Sequence, residues 1–576
     1  MSFHCTYHAA GQLCSKVVAL PICLLLAGCT TGHYLQSADK DAYAVIRAKT
    51  GQVKDMAPGF SIETTNTISF DGLELATNVV EFFGPDGGNE RGARVLGLDD
   101  ALQIAVRHSR TYQSRKEQLY LSALSLTLTR HQFTPIFSGS GSGTYTVTTD
   151  QSITTEIDQL TGQPVPVIQL SQTERVNGSG SINSGWLVRD VGRISTALTA
   201  DFLRFITGDP RVTTSSQLSA TFLRPLLRDA GFKQQAESLL QAERQMLYDL
   251  RDFTQFRKDF SVQIATAYYR VLGSRDAVRN SYINLQTSKR SAARTSALAD
   301  EGRATRADLG RLQQQELSVE GSWINAIRSY KQSLDNFKIQ LGLSVDTNII
   351  LDDRELAALQ IHHPDISVED AVKVAFAARL DYQNSKDQLE DAARRVVLAE
   401  EFLKPRLDLT ASATLPSTPG NGGGFNWPDP ERYRWNAGLS LDPGLDKTSD
   451  RNSYRSTLIT RNRAARSVEQ QEDQIKLAVR ESWRTLDQAK RNYEISEISV
   501  KLAERRVDEQ SLRAELGSAR AQDQVDAQND LINSKNQRTL ALVNHTIARL
   551  EFWNNMGILH IQENGQWEEL QDADAK

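Results

Sequence analysis

Two long stretches without proline limit what this chain can become. No proline lies between Pro225 and Pro364, and none follows Pro443. An interior proline costs about 3 kcal/mol in a helix, so gaps of this length predict helix. The first gap, residues 232–341, is interrupted by Glu301-Gly302-Arg303, and the second, residues 449–556, contains a single glycine, Gly517. In the second, Ile475, Val479, Ser482, Leu486, Ala489, Tyr493, Ser496, Val500, Ala503 and Val507 recur in alternating steps of four and three. That is a coiled-coil seam, with small residues that let the helices approach closely. At 1.5 Å per residue the arm 449–516 spans on the order of 100 Å, far more than a compact domain uses.

An internal repeat organises the rest. Residues 98–119 align without gaps on 368–389, with eight of 22 positions identical, at an offset of 270. Further on, Gly302/Gly517, Ala304/Ala519, Asp308/Asp523, Gln313/Gln528, Phe337/Phe552 and Gly342/Gly557 pair at an offset of 215. The first half therefore carries 55 extra residues. Their expected place is the Ser/Thr/Gly-rich region 138–221, as an insertion at about 150–205, because surface insertions are tolerated.

Between the short and long helices of each half the pattern turns to period two. Leu407, Leu409, Ala411, Ala413 and Leu415 alternate with polar residues, as do Trp435, Ala437, Leu439 and Leu441. Residues 137–147, 194–202 and 218–222 offer strands in the first half. One apolar and one small polar face fit a membrane barrel strand, and they fit a half-buried strand of a soluble sandwich equally well. Residues 416–430 form a Gly/Pro-rich loop.

The 66 basic and 71 acidic residues give a formal charge of −5 and no basic stripe, which argues against nucleic acid as a partner. All four cysteines (Cys5, Cys14, Cys23, Cys29) fall in the first 29 residues, so the body has neither a disulfide framework nor a cysteine-ligated metal. Lys16, the apolar run 17–26 and Ala27-Gly28-Cys29 read as a secretory signal, too short to span a membrane. Leu26-Ala27-Gly28-Cys29 resembles the lipobox of bacterial lipoproteins, which implies cleavage at 28 and a covalent lipid on Cys29. Thr30 in place of Asp fits outer-membrane sorting. The alternative is an ordinary cleaved signal with a chance cysteine. No catalytic constellation, phosphate loop or dinucleotide fingerprint is present, so an enzyme is not expected, nor any cofactor beyond that lipid.

Strand pair, long helix, glycine turn and shorter helix, repeated once behind a lipobox, resemble the outer-membrane factor family typified by TolC. The resemblance covers residues 97–557. It rests on the order of elements, on residues 220–231 (ATFLRPLLRDAG), and on the turns Gly302-x5-Asp308 and Gly517-x5-Asp523. It implies a mainly α fold with a membrane β-barrel, in which a homotrimer takes four strands per subunit for the barrel and lines a periplasmic tunnel with its helices. Four strands cannot close a barrel, and open edges cannot face lipid, so copies must join.

The expected layout is a signal at 1–28, an N-terminal extension at 29–95, repeats at 96–345 and 367–557, an equatorial linker at 346–366 and a tail at 558–576. The extension has no counterpart in a typical member and is expected to wrap the barrel base. The resemblance implies a passive duct in the outer membrane, lipid-anchored, coupled through a periplasmic adaptor (membrane fusion protein) to an inner-membrane transporter for efflux or type I secretion. It places the aperture at Asp523 and Asp526, with Asp308 as their counterpart in the first half. The adaptor-contacting tips would be Glu301, Gly302, Arg303, Leu516, Gly517 and Ser518. The same aspartates also fit a solvated helix face. A lipid-anchored periplasmic coiled-coil scaffold without a pore is the alternative.

Overall fold

The computed structural model describes residues 30–56, 59–63, 70, 72–77, 80–157, 162, 164–207, 212–418, 424–516 and 520–567. Cys29, the signal segment, Gly517 and Ser518 lie outside the described residues.

The first half contains helix α1 (Thr31–Thr50), a 3-10 segment (Glu81–Glu90), β1 (Arg94–Leu96), α2 (Leu98–His108) and α3 (Arg110–His131). Strands β2 (Ile136–Ile157), β3 (Pro164–Val188), β4 (Gly192–Phe205) and β5 (Val212–Pro225) follow, then α4 (Lys233–Asp300) and α5 (Arg306–Leu341). The linker holds β6 (Ile349–Leu351) and α6 (Asp353–Ala358). The second half has α7 (Val368–Ala378), α8 (Leu380–Glu401), β7 (Arg406–Pro416), β8 (Arg434–Asp442), α9 (Thr448–Glu515) and α10 (Ala521–Met556). Helices α2 and α7 have 11 residues each, α3 and α8 have 22, α4 and α9 have 68, and α5 and α10 have 36. The halves differ between α3 and α4, where four strands stand in place of two.

Two compact units result. One, of residues 1–123, 246–387 and 465–576, is helical apart from the short parallel pair β1–β6. Its second-half core joins Ala371 and Ala375 of α7, Ile475, Val479, Leu486 and Ala489 of α9, and Ala548, Phe552 and Met556 of α10. Of the ten residues in the expected α9 seam, eight are buried, while Tyr493 and Val507 are half-buried. Alternating steps of four and three therefore mark the packed stripe.

The described part of the extension packs on the helices of this unit. Tyr120 of α3 donates to Asp39 at 2.5 Å. Buried Lys258 of α4 reaches Asp55 at 3.0 Å and the Gly557 carbonyl at 2.9 Å. Buried Arg275 of α4 grips Glu90 with both terminal nitrogens, at 2.8 and 3.0 Å. Phe83 lies against Tyr330 of α5, and Trp323 donates to the Phe82 carbonyl at 2.9 Å. These contacts, two buried ion pairs among them, hold the extension as a strap on the helices.

The other unit, residues 124–245 and 388–464, centres on one antiparallel sheet ordered β2-β3-β4-β5-β7-β8. The expected four strands are six. A chain that enters a sheet from a helix and returns to a helix at the same end crosses it an even number of times. An insertion that adds strands there adds a pair.

Candidate functional site: the amphipathic sheet and the helical turns

The register of the sheet separates two faces. Ile182, Leu198, Leu218 and Leu415 are cross-strand neighbours, and so are Ile194, Phe222, Ala411 and Ala437. The opposite face carries the rows Ser140, Ser181, Thr199 and Gln217, and Ser195, Thr221, Ser412 and Asn436. Paired hydroxyls reinforce it, with Ser140 and Ser181 at 2.9 Å and Ser142 and Ser179 at 2.7 Å. The apolar face is uncovered: Phe137 is 74% exposed, Trp435 70% and Leu439 66%. A sandwich needs a second sheet over that face, and among the described residues the only other sheet is the pair β1–β6. From Phe137 to Val147, β2 offers the roughly 9–11 residues that a tilted strand needs to cross a bilayer. No described helix is long and apolar enough to cross a membrane.

The edges of the sheet are β2 and β8, which run in opposite directions because six antiparallel strands alternate. Each presents unpaired backbone groups, which lipid does not tolerate. Identical copies joined β8 to β2 would continue the ladder without a break, a heterologous contact of the kind that builds a ring when its rotation closes. On α9 a second apolar stripe, Ile495, Ile498, Leu502 and Leu512, continued by Leu516 just past its end, stays exposed on the side away from the buried seam. The four-three steps of the sequence run through small residues instead, so they do not single this stripe out.

At the turn between α4 and α5, Gly302 is left-handed at φ +71. Its N–H donates to Ala299 at 3.0 Å and that of Arg303 to Leu298 at 2.8 Å, the paired bonds of a Schellman cap. Glu301 and Arg303 are exposed beside it and lie 3.7 Å apart. Thr305 caps α5, accepting from the Asp308 N–H at 3.1 Å and donating to Asp308 Oδ2 at 2.6 Å. Asp308 is therefore held against the N-cap hydroxyl of α5. Its counterpart Asp523 follows Arg520, whose side chain makes no cap bond. Asp523 is exposed, and Asp526 is half-exposed and accepts from Gln522 at 3.0 Å. Leu516 is 75% exposed at the end of α9.

Behind these turns the hairpins α4–α5 and α9–α10 meet around a cavity of about 140 Å³ whose lining includes Asn284, Ser288, Gln315, Gln510, Gln528 and Asn529, without a charged side chain. The volume takes several waters. Uncharged bonds cross this seam: Gln315 to Asn529 at 3.0 Å and Asn280 to Asn536 at 2.8 Å. Each such bond contributes about 1 kcal/mol net, so the hairpins are joined weakly here. Within the second hairpin Arg506 pairs with Asp530.

The structure also brings together two histidines that are far apart in sequence. The rings of His363 and His545 have centroids 6.3 Å apart, and His545 is fully buried with neither ring nitrogen hydrogen-bonded among the described residues. Burial, then the positive charge of Arg549, pushes the His545 pKa down to about 4. His545 is thus less protonated in the folded chain than in the unfolded chain between pH 6.5 and about 4. Its contribution to stability falls as pH drops through that window, by up to about 1.4 kcal/mol per unit. Melting curves at pH 7 and 4.5 are expected to show this loss, and His545→Leu is expected to flatten it. No described group of three or more His, Cys, Asp or Glu is placed to hold a metal.

No protein-family model matches the sequence, and no curated protein does. Solved structures do. The outer-membrane channel OprN matches at a TM-score of 0.55 with 13% identity, covering 86% of this chain and 99% of that one. The CmeC outer membrane channel of Campylobacter jejuni matches at 0.58 with 12% identity, over 82% and 87%. The open MtrE outer membrane channel of Neisseria gonorrhoeae matches at 0.56 with 13% identity, over 80% and 90%. At these identities the likeness establishes the fold.

Proposed function

We infer, from the TolC-like fold that this chain shares with outer-membrane channels, that it is a subunit of a passive trimeric duct. The duct carries substrates outward across the outer membrane from a periplasmic adaptor and an inner-membrane transporter, in efflux or type I secretion. The observation that carries this reading is the single-layer sheet, apolar on one side and hydroxyl-lined on the other, with two unpaired antiparallel edges. Joining copies edge to edge satisfies both edges and turns the apolar face to lipid. The exposed stripe on α9 supplies a helical contact between the same copies. Cys29 is the proposed lipid attachment. Glu301 to Arg303 and Leu516 to Ser518 are the proposed adaptor contacts.

The aperture belongs to Asp523 and Asp526, which reach solvent one helical turn apart, while Asp308 is engaged with Thr305. Three copies would ring the axis with six carboxylates that attract cations. Asp523→Ala with Asp526→Ala is expected to raise single-channel conductance. Block by divalent cations should weaken by about tenfold, or about 1.4 kcal/mol. Unchanged conductance and block would place these residues off the axis.

A further inference from the structure

The extra strand pair bears on what the exit can pass. An antiparallel barrel widens almost linearly with strand number. With strands about 4.8 Å apart and tilted by about 40°, twelve strands give a backbone diameter of about 24 Å and eighteen give about 36 Å. This chain contributes six strands in one continuous ladder. The added strands β3 and β4 share the faces of the rest: Ile182, Ile194 and Leu198 lie on the apolar side, and Ser179, Ser181, Ser195 and Thr199 on the polar side. A barrel of eight strands fills its interior with side chains, whereas one of 16–18 leaves an aqueous channel.

The middle of the polar face is built mostly from small side chains. Its rows there are serine, threonine, asparagine and glutamine, with Asp201 beside Ser179 and Ser215. Toward the strand ends the same face carries both signs of charge, Arg193, Arg406 and Arg434 with Asp408 and Asp442, and the apolar Leu203, Phe205 and Leu223. Past Val147 and Glu174, β2 and β3 continue as a two-stranded arm, since β4 reaches only Arg175 on β3.

We propose that three copies close an eighteen-stranded barrel whose wide, largely hydroxyl-lined exit admits bulky hydrophilic solutes. The proposal rests on the trimeric channel reading above and adds a width and a solute class to it. The barrel is a wide vestibule, and the ring of aspartates is a separate, narrower control point.

The test uses the full chain in planar bilayers, with polyethylene glycols of graded size added only on the side of the β2–β3 turn. Polymers up to about 10 Å in radius are expected to enter from that side and lower the conductance, since eighteen strands leave an aqueous channel. An onset of exclusion at half that radius would overturn the proposal while leaving the channel reading intact. Absence of any conductance would remove the channel reading and the proposal with it.

A second measurement does not depend on current. No cysteine follows Cys29, so single cysteines report cleanly. A bulky membrane-impermeant maleimide applied from outside is expected to label Ser140→Cys and Ser181→Cys at least tenfold faster than Tyr145→Cys and Ile182→Cys. Equal labelling of the four would place β2 and β3 outside the barrel wall and overturn the proposal.

Discussion

Gly342→Ala is expected to lower the folding stability of the helical unit by about 3–5 kcal/mol, because it combines two costs at one position. Gly342 ends α5 in the left-handed region at φ +82, where a side chain costs about 1–2 kcal/mol. A Cβ there would also sit 2.0 Å from the His108 carbonyl oxygen and 3.0 Å from the Ser109 nitrogen. Both are backbone atoms at the corner between α2 and α3, so no rotamer change relieves the overlap. The helix end must shift, and with it buried Leu343, whose N–H caps α5 on the Lys338 carbonyl at 2.9 Å. Gly302→Ala is the control. Its φ is +71, but nothing lies within 4 Å of the added carbon, so only the backbone cost of about 1–2 kcal/mol applies. Chemical denaturation of the two variants separates the terms. Equal losses would mean that the corner at His108 yields freely.

Arg275→Met is expected to cost about 3–5 kcal/mol and to free the extension from the helices. The guanidinium is 4% exposed and makes two bonds to Glu90, one to the Tyr330 hydroxyl at 2.9 Å, and a 3.0 Å ion contact through Nε to Asp353. It also lies over the rings of Phe82, Phe83 and Tyr330. Removing it leaves the Glu90 carboxylate without its partner in a largely buried setting, and that stranded charge is the main source of the loss. Neutralising the carboxylate as well, in Arg275→Met with Glu90→Gln, should recover part of the stability. Limited proteolysis would read the local effect as faster cleavage within residues 59–96. A double variant no more stable than the single one would assign the loss to packing on the aromatic rings.

Much of the helical architecture is legible in the sequence because its signals are local. The proline gaps and two glycines locate α4, α5, α9 and α10, and the four-three steps on α9 pick out eight residues that are buried. Alternation places β7 and β8 to within one or two residues. The first-half strands are harder to read. From Ser138 to Gly143 the sequence alternates serine with glycine, so period two exists without the contrast between polar and apolar that reveals a face. The arm between β2 and β3 carries Ile153, Ile157, Ile168 and Leu170 without a sustained alternation, and Pro164 and Pro166 sit in its second strand.

Contacts made across long separations leave no local pattern. Glu90 meets Arg275, Asp55 meets Lys258 and His363 meets His545 through folding alone. The position of the extension is therefore not legible in its residues. Asp308 is a different case, since Thr305-x-x-Asp308 is a helix-capping motif in plain sequence. That motif by itself sets Asp308 apart from Asp523, which has Arg520 at the matching position.

Conductance distinguishes a pore made by joining copies edge to edge from a tethered scaffold. Purified full-length protein, reconstituted in a planar bilayer, is expected to give discrete single-channel steps from a trimer that resists sodium dodecyl sulfate. A monomer that inserts or coats the bilayer without conducting would contradict the account and favour a lipid-tethered scaffold.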